Sequence, residues 1–398
     1  MSTKILSINA GSSSFKFKLF QMPSEEVITE GLIERIGLPQ GMFTMTYQGE
    51  KIKKEMPFEN HQLAIEVFID QLMNLKIINH IDEIKGIGHR VVHGGETFKD
   101  SVIIDQRVIE KIRELSPLAP LHNPANLLGI EVFMAKFPIV SHVAVFDTAF
   151  HQTMEEESFI YGGPYEWYEK YKVRKYGFHG TSHKYVSKRV ESLLGRKDAK
   201  IIVCHLGNGS SICAVKNGRS VDTTMGFTPL TGLLMGTRSG DIDPSIIPYI
   251  MEKTNQTLEM VLTDLNRKSG LLGVSGVSSD SRDIENGVLE GHKRSQLSQN
   301  IFIRRIVSYI AAYHMLLGGA DAIAFTAGIG ENSSMVRKKV IENLELLGIK
   351  LDEEANQVRK KEQLISTKDS KIACYIIPTN EELVIARDVY QLIKMKEV

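Results

Sequence analysis

Apolar runs that flank glycine- and serine-rich turns occur twice along this chain. The first pair of runs, within residues 4–20, flanks Gly11, Ser12 and Ser13, and the second pair, within 201–215, flanks the turn at 207–211. Apolar runs of this length predict buried strands. Glycine lets a ligand approach the backbone amides closely, so each turn is either an ordinary hairpin or a cradle for phosphate.

The two hairpins are related by their positions. Placing Gly11-Ser12-Ser13 on Gly209-Ser210-Ser211 gives an offset of 198 residues, close to half of the 398-residue chain. Similar units half a chain apart indicate an internal duplication. The pattern therefore predicts two related domains, each with one such turn.

The remaining pattern alternates between strands and helices, which is typical of an α/β protein. Two segments lack a clear period: 161–181, and 222–244, which we expect to form a long ordered loop. A polar turn is expected at 275–284. Further strands are expected within 27–47, 86–93, 141–147, 320–326 and 371–378. Helices are expected within 61–75, 182–194, 244–254, 256–268 and 296–318. Two more helices are expected, one after a cap at Asn123 and one from Glu381 onward.

Composition excludes several classes of function. Lysine plus arginine and aspartate plus glutamate both number 48, so no basic field is present to attract nucleic acid. No apolar segment approaches the roughly 18 residues that a membrane span needs. The cysteines Cys204, Cys213 and Cys374 form no CxxC pair. We expect buried reduced thiols in a cytoplasmic protein without nucleic-acid or membrane partners.

Five polar residues stand near the ends of apolar strands or the starts of helices. Arg90 lies in a valine-rich strand, and Arg238 lies between small residues of the 222–244 loop. A guanidinium group suits phosphate or carboxylate oxygens, although a structural ion pair explains Arg90 equally well. Asp147 is either a working group at a strand end or a cap. His179 is either an anion contact or a structural histidine, and His122 precedes another helix.

Other candidates are weaker when each is taken alone. The glycine-rich turn at 326–332 suits a nucleotide, but a GxG pattern is not specific. Glu381 either complements a helix dipole or binds Mg²⁺. His89 and His93 have the spacing of a helical zinc pair, yet the surrounding valines favour a strand. The sequence has no GxxxxGK[ST], HExxH or GxSxG motif, so any phosphate chemistry uses another architecture.

Taken together, nine segments resemble the signatures of the acetate kinase family, in the same order along the whole chain. Each segment is weak by itself, whereas the ordered set is specific. The segments are INAGSSSFKF (8–17), GHRVVHGGE (88–96), PLHNPANL (120–127), VFDTAFH (145–151), KYGFHGTSH (175–183), HLGNGSS (205–211), MGTRSGDIDP (235–244), TAGIGEN (326–332) and PTNEELVIARD (378–388).

This resemblance implies an α/β fold of two duplicated ribonuclease-H-like domains, of the actin/Hsp70/sugar-kinase type, around a cleft. The domains implied are 1–150 plus 383–398 on the acyl-substrate side, and 151–382 for the nucleotide. The implied reaction is reversible transfer of a phosphoryl group from ATP to acetate, giving ADP and acetyl phosphate. Closure of the cleft on nucleotide and a homodimer are further expectations.

The resemblance also implies catalytic and metal-binding roles. Arg90 would hold the acetate carboxylate, and His179 and Arg238 would stabilise the transferring phosphoryl group. Asn9 and Glu381 would position Mg²⁺, or Mn²⁺ in its place. Asp147 matches a carboxylate described as an acid/base or an orienting group. Because acetate is already ionised near neutral pH, we expect the orienting role.

The resemblance places the substrates as follows. The acetate pocket is expected from Val92, Leu121, His122, Phe178 and Pro229, and a small apolar pocket should make propionate a poorer substrate without excluding it. Nucleotide contacts are expected from Ser12, Ser14, Lys16, His205, Leu206, Gly207, Asn208, Gly209, Asp280, Ser281, Arg282, Gly328, Ile329, Gly330, Glu331 and Asn332.

One departure and three alternatives accompany this interpretation. Gly162-Gly163 stand where the family commonly has Ala-Leu, which predicts a looser loop. The alternatives are a propionate or butyrate kinase of the same fold, a non-catalytic nucleotide-dependent binding protein, and an acyl-phosphate hydrolase.

Overall fold

Two mixed β-sheets, each with its own helices, organise the chain. The computed structural model describes residues 2–120 and 122–396. They fall into two compact units: a first unit of residues 2–150 and 380–396, and a second unit of residues 151–379. Each unit holds one of the two sheets.

The first unit contains an eight-stranded sheet. Its strands are β1 (Thr3–Ala10), β2 (Ser14–Met22), β3 (Glu26–Glu34), β4 (Gly41–Tyr47), β5 (Glu50–Met56), β6 (Ile84–Val91), β7 (Val102–Ile103) and β8 (Ser141–Phe146). They are hydrogen-bonded in the order β5-β4-β3-β2-β1-β6-β8-β7. The pairs β1–β6 and β6–β8 are parallel, and the other pairs are antiparallel.

The second unit contains a six-stranded sheet. Its strands are β9 (Lys200–Leu206), β10 (Ser210–Lys216), β11 (Arg219–Thr223), β12 (Ala322–Thr326), β13 (Gln363–Leu364) and β14 (Ala373–Ile376). Their order is β11-β10-β9-β12-β14-β13, with β9–β12 and β12–β14 parallel.

Helices connect and cover the strands of both sheets. Within the described residues, none combines the length and the apolar character needed to cross a bilayer. The helices are α1 (His61–Asn74), α2 (Gln106–Glu114), α3 (Asn123–Lys136), α4 (Glu156–Phe159), α5 (Glu166–Tyr171), α6 (Gly180–Leu194), α7 (Ile246–Thr254), α8 (Leu258–Arg267), α9 (Gly270–Ser275), α10 (Ser281–Leu289), α11 (Lys293–Leu316), α12 (Ala327–Asn332), α13 (Ser334–Glu342) and α14 (Glu381–Lys396), with 3-10 turns at Ile81–Glu83, Ser116–Leu118, Ala149–Thr153, Glu345–Leu347 and Ala355–Gln357.

The two sheets share one five-stranded plan. In the first sheet the order is β3-β2-β1-β6-β8. On one side of β1 the pairings β1–β2 and β2–β3 are antiparallel, and on the other side the pairings β1–β6 and β6–β8 are parallel. In the second sheet β11-β10-β9-β12-β14 repeats that order and those directions around β9. The central strand and its hairpin partner in each sheet flank the Gly/Ser turns that the sequence singles out. The predicted duplication of an α/β unit is confirmed.

Each unit has its own apolar core, which explains the strand patterns. The core of the first unit includes Phe15, Phe17 and Phe68, whose rings are in contact. In the second unit nearly every residue of β9 and β10 is buried, as expected for central strands covered on both faces. Cys204, Cys213 and Cys374 are buried and unpaired, as predicted.

Several predicted elements differ from the observed ones. The segment predicted to be a polar turn at 275–284 contains the start of α10, whose N-cap is Asp280. The glycines of 326–332 lie inside α12 and do not precede it, and α5 was missed altogether. Helix α3 takes His122, not Asn123, as its N-cap. Short helices with glycine or aromatic residues have too few turns for periodicity to reveal them.

Candidate active site

In the second unit, the turn between β9 and β10 is tied to the loop that carries Arg238. The backbone N–H of Gly236 donates to the carbonyl of Asn208 over 3.0 Å. A Cβ atom at position 236 would stand 1.8 Å from Oδ1 of Asn208. A larger residue at position 236 would therefore displace the Asn208 side chain from its observed position. The contact brings two of the predicted segments, 205–211 and 235–244, together.

Arg238 is a half-buried cation with weak neutral partners. Its Nη1 lies 3.3 Å from the carbonyl oxygen of Pro229 and 3.7 Å from Sδ of Met235. Within residues 2–120 and 122–396 it forms no ion pair. Burial lowers the pKa of Arg238, because no carboxylate offsets the loss of water. A guanidinium in this state is a ready site for an anion.

His179 precedes α6 in a left-handed conformation, with φ of 57°. Its Nδ1 lies 2.9 Å from Oγ of Ser211, and its ring stacks on His205 with centroids 4.1 Å apart. Nδ1 of His205 in turn lies 2.8 Å from Oγ of Ser182. A non-glycine residue at positive φ is uncommon and often marks a functional constraint.

Gly209 is the point at which these groups meet. A Cβ atom at that position would stand 3.4 Å from Nη1 of Arg238 and 3.5 Å from Nε2 of His179. The missing side chain thus leaves a space lined by a guanidinium and an imidazole. The second unit therefore contains a small cationic site suited to a phosphoryl group.

Other predicted nucleotide contacts lie next to this site. A Cβ atom at Gly207 would stand 3.6 Å from Cβ of Ala327 at the start of α12, and one at Gly236 would stand 3.0 Å from the carbonyl oxygen of Ser279. The three glycine-rich or polar segments predicted to bind the nucleotide are thus neighbours. Gly328 faces open space, since a Cβ atom there would have no atom within 4 Å.

Some polar groups in these segments already have partners within the protein. Oε1 of Glu331 accepts hydrogen bonds from the backbone N–H groups of Ala327 and Thr379, over 2.9 and 3.1 Å. Arg282 pairs with Asp280 over 2.5 Å and is largely exposed. That pair lowers the pKa of Asp280 to about 2. Ser281, Ile329, Gly330, Asn332 and Leu206 lie in the same neighbouring elements.

In the first unit, Arg90 is held by Asp147. Nε of Arg90 donates to both carboxylate oxygens over 3.0 and 3.1 Å, and Nη2 donates to Oδ2 over 2.5 Å. Asp147, only 1% exposed, follows β8, and its N–H donates to Val91 at the end of β6. Nη1 lies 3.4 Å from Oδ1 of Asn9. Burial opposes the charge on Arg90, but Asp147 and the nearby glutamates outweigh it and raise the pKa of the guanidinium.

Two adjacent glutamates at the start of α14 differ in their surroundings. Glu382 forms an ion pair with Lys16 of β2. Burial alone would raise the pKa of Glu382, yet this ion pair lowers it. Glu381 has neither an ion pair nor a side-chain hydrogen bond within the described residues. Burial, together with repulsion by Asp147 and Glu382, raises the pKa of Glu381 to about 7.

The remaining predicted residues of the first unit lie near the ends of β1 and β6. Ser12 is exposed and Ser14 opens β2. Val92 is buried, and its N–H donates to Oδ1 of Asn126. His122 caps α3. Leu121 lies outside the described residues. Val92 belongs to the first unit and Phe178 and Pro229 to the second, so the acetate pocket stays a prediction.

Sequence reasoning missed residues that support the site from behind. Asn126 of α3 joins the two strand ends, because its amide donates to Ala10 while its carbonyl oxygen accepts from Val92. In the second unit, Nε2 of His183 lies 2.8 Å from the same Ser211 hydroxyl that contacts His179. The spacing of His179 and His183, one helical turn apart, was the available signal for the latter.

Glu381 and Asn9 offer oxygen atoms of the kind that bind a divalent metal. Among the described residues, no three His, Cys, Asp or Glu side chains are arranged to hold a metal ion. Mg²⁺ usually takes only one or two carboxylates and fills its other positions with water and substrate phosphates. The Glu381 carboxylate, which forms no ion pair in the described part of the chain, and the Asn9 amide both lie close to Arg90 and fit that requirement.

The fold and this site define a class of protein before any particular family. Two duplicated α/β units with phosphate-sized turns are the architecture of the actin/Hsp70/sugar-kinase-like fold. An acetate kinase structure from Porphyromonas gingivalis matches with a TM-score of 0.93, 44% identity, and coverage of 98% of this chain and 100% of that one. A propionate kinase structure from Francisella tularensis matches with a TM-score of 0.93, 42% identity, and coverage of 98% and 99%.

Sequence comparisons then identify the family. The model of the acetokinase family matches residues 4–387. An acetate kinase from Geobacillus sp. (strain WCH70) is 57% identical over 392 residues, covering 98% of this chain and 99% of the relative. One from Anoxybacillus flavithermus is 56% identical over 391 residues, covering 98% of both. The chain belongs to the acetokinase family, and the resemblance stated from its motifs is confirmed.

Proposed function

We propose that this chain catalyses reversible transfer of the γ-phosphoryl group of ATP to acetate, in one direct in-line step that requires Mg²⁺. The observation that carries the proposal is the cationic space beside Gly209, where half-buried Arg238 has no counter-ion among the described residues and His179 lies next to the same glycine. Family membership supports ATP and a carboxylic acid as the substrates.

The second unit would act on the phosphoryl group. Phosphoryl transfer needs positioning and neutralisation of the equatorial oxygens more than covalent help. Arg238 supplies a positive charge without an ion-pair partner in the described structure, and His179 supplies an imidazole nitrogen next to the same glycine, Gly209. Since both groups are already in place, little reorganisation accompanies the development of charge.

The first unit would hold the acid. Asp147 occupies the side of the guanidinium formed by Nε and Nη2. The end formed by Nη1 and Nη2 retains N–H groups that can meet a second carboxylate in the usual forked geometry. Asp147 thereby orients Arg90, which is the role we propose for it. Acetate is ionised near pH 7 and needs no base to become a nucleophile.

We assign Glu381 and Asn9 to the metal. When bound, a divalent cation would neutralise part of the negative charge on the phosphate oxygens. Glu381 would meet it with a carboxylate that has no hydrogen bond or ion pair among the described residues, and Asn9 with an amide oxygen, while Lys16 pairs with Glu382. Oxygen ligands of this kind suit Mg²⁺, or Mn²⁺ in its place.

The neighbouring structure of a propionate kinase favours one second candidate, an enzyme of the same fold for a longer acid. The deciding experiment is acyl-hydroxamate formation from ATP and Mg²⁺ with acetate, propionate and butyrate, and with Arg238→Ala as the control. We expect acetate to react fastest, with propionate slower by the roughly 10-fold or more that one methylene costs. Preference for a longer acid would replace acetate in the proposal, and ADP binding without turnover would favour a binding protein.

We further propose that the protein is a cytoplasmic homodimer. The family resemblance is one support, and the exposed surface of α7 and α8 is the other. None of the nine residues of α7 is buried, and Tyr249, Leu258 and Met260 are each at least half exposed. Exposed apolar clusters of this kind are typical of interfaces. Light scattering should give twice the chain mass for the wild type and a monomer for Tyr249→Glu with Leu258→Glu; a monomeric wild type would contradict the proposal.

A further inference from the structure

The hydroxyl of Ser211 lies between two histidines of the second unit. Its Oγ is 2.9 Å from Nδ1 of His179 and 2.8 Å from Nε2 of His183. The two histidines flank the first turn of α6, where the N–H of His183 donates to the carbonyl of His179. Ser211 is the second residue of β10. The three side chains form a continuous chain of hydrogen bonds.

The protonation state of His183 decides which atom donates in each of these hydrogen bonds. His183 is fully buried. Burial, with the neighbouring His151 and His205, lowers the pKa of His183 well below its usual value, so the ring is neutral and carries one N–H. Its Nδ1 has no hydrogen-bond partner within the described residues. Orphaned buried N–H groups are rare and costly, so the proton resides on Nε2, where Ser211 accepts it.

Ser211 then has one proton left to donate. No third partner of its Oγ is present among the described residues, so accepting from both rings would leave the hydroxyl proton unused. All of these hydrogen-bonding groups have a partner when the Ser211 hydroxyl accepts from His183 and donates to Nδ1 of His179. A neutral His179 must then carry its own proton on Nε2.

We propose that His183, acting through Ser211, is a positioning residue that holds His179 as the Nε2–H tautomer. Nε2 is the nitrogen of His179 that lies beside Gly209, and Nη1 of Arg238 lies beside the same glycine. In this tautomer it offers a hydrogen-bond donor to an anion, whereas the other tautomer would offer a lone pair and repel it. The inference about catalysis rests on the proposed function, but the assignment of the tautomer does not.

The first test examines the wild-type protein and uses one variant only to assign its signals. Two-bond ¹H–¹⁵N spectra of protein labelled at its histidine side chains distinguish the two tautomers, and the His179 signals are those lost in His179→Gln. At pH 8 we expect His179 to show the Nε2–H pattern. An Nδ1–H pattern in the wild type would overturn the proposal, whatever the enzyme's activity.

Substitutions then test the relay. Ser211→Ala should release the constraint, so that both tautomers of His179 appear, and should lower kcat about tenfold, less than the roughly 10²-fold typical for losing a donor outright. The KM values for ATP and acetate should stay within about twofold, since charge and shape are kept. His183→Gln retains an N–H near the Nε2 position and should preserve the wild-type tautomer.

A matched control separates this effect from loss of a buried hydroxyl in general. Ser187 also lies on α6 and is buried, and within the described residues its hydroxyl donates only to the carbonyl of Lys184. Ser187→Ala should leave both the His179 spectrum and kcat unchanged. A Ser211→Ala spectrum identical to the wild type would overturn the relay, as would loss of the Nε2–H tautomer in a folded His183→Gln. Failure of turnover with all acids would instead count against the proposed function.

Discussion

Arg90 in the first unit and Arg238 in the second are both expected to meet anions, but their surroundings are opposite. Arg90 shares three hydrogen bonds with the buried carboxylate of Asp147. Arg238 has only a carbonyl oxygen and a thioether sulfur within reach in the described structure. Neighbouring carboxylates raise the pKa of the first guanidinium, and burial lowers the pKa of the second.

The difference indicates a division of labour. A guanidinium already neutralised by a carboxylate gains little from binding another anion by charge, but its remaining N–H groups are held in direction. An uncompensated guanidinium is a costly feature that only an anion relieves. Arg90 is thus suited to orienting a substrate, and Arg238 to stabilising charge that develops during the reaction.

The largest expected effect is that of Arg238→Ala. Removing a charge that acts on a transferring phosphoryl group should lower kcat about 10³-fold or more. The free energy of unfolding should stay constant or rise slightly, because an uncompensated half-buried charge is lost. Steady-state kinetics with urea unfolding measures both. The exposed Arg196, which pairs with Asp198, provides Arg196→Ala as the control; kcat above a tenth of the wild type in Arg238→Ala would contradict the assigned role.

A second prediction tests the space beside Arg238 without touching the charge. In Gly209→Ala the new methyl would stand at ordinary contact distances, 3.4 to 3.5 Å, from Arg238 and His179, so the fold should tolerate it. It would occupy the proposed phosphoryl position and should lower kcat/KM for ATP on the order of 10²-fold. Gly162→Ala adds a methyl in open space and should leave the activity unchanged. Equal activity of the two variants would exclude this position for the phosphoryl group.

The third prediction concerns the partner of Arg90. Asp147→Asn keeps the size of the side chain but replaces one acceptor oxygen with a donor, which misdirects the guanidinium. We expect kcat/KM for acetate to fall about 10- to 100-fold. Because Asp147 is proposed to orient and not to transfer a proton, the residual activity should keep the pH profile of the wild type. If the activity of Asp147→Asn no longer fell on the acidic or the basic side of the pH profile, as it does in the wild type, proton transfer by Asp147 would be supported instead.

The fold could be predicted from the sequence because the local apolar patterns coincide with the strands that organise the sheets. The apolar runs around the two turns mark the central strands β1 and β9, and those strands organise the two sheets. Elements whose residues show little hydrophobic periodicity were not predicted. The exposed edge strand β5, rich in lysine, carries no buried face to alternate, and six-residue helices such as α5 offer fewer than two turns.

The site was only partly predictable, for a related reason. Motifs indicated residue types such as Arg90 and Arg238, but not their electrostatic state, which depends on partners far away in the chain. The contrast between a paired and an unpaired arginine arises from where Asp147 is brought by β8. Likewise the role of Ser211 depends on two ring nitrogens converging on one oxygen, a relation that no local pattern contains.

The last and smallest prediction extends the comparison to paired and unpaired carboxylates. Glu381 and Glu382 are neighbours on α14, yet among the described residues only Glu382 forms an ion pair, with Lys16. Burial and nearby carboxylates raise the pKa of Glu381 to about 7, because together they outweigh the opposing attraction of Arg90. By the argument used for Arg238, the group without a partner is the one kept for a ligand, here a divalent metal.

Glu381→Gln should therefore raise the KM for Mg²⁺ about tenfold, since a charged ligand becomes a neutral one. The adjacent Glu382→Gln is the matched control: it removes the same charge from the same turn of the helix, but from a group already neutralised by Lys16. Its KM for Mg²⁺ should change less than about twofold. Titration of activity with Mg²⁺ at saturating ATP and acetate measures both variants. If the two substitutions raise the KM for Mg²⁺ equally, total negative charge near α14 governs the metal, and the distinction between paired and unpaired groups fails for the carboxylates.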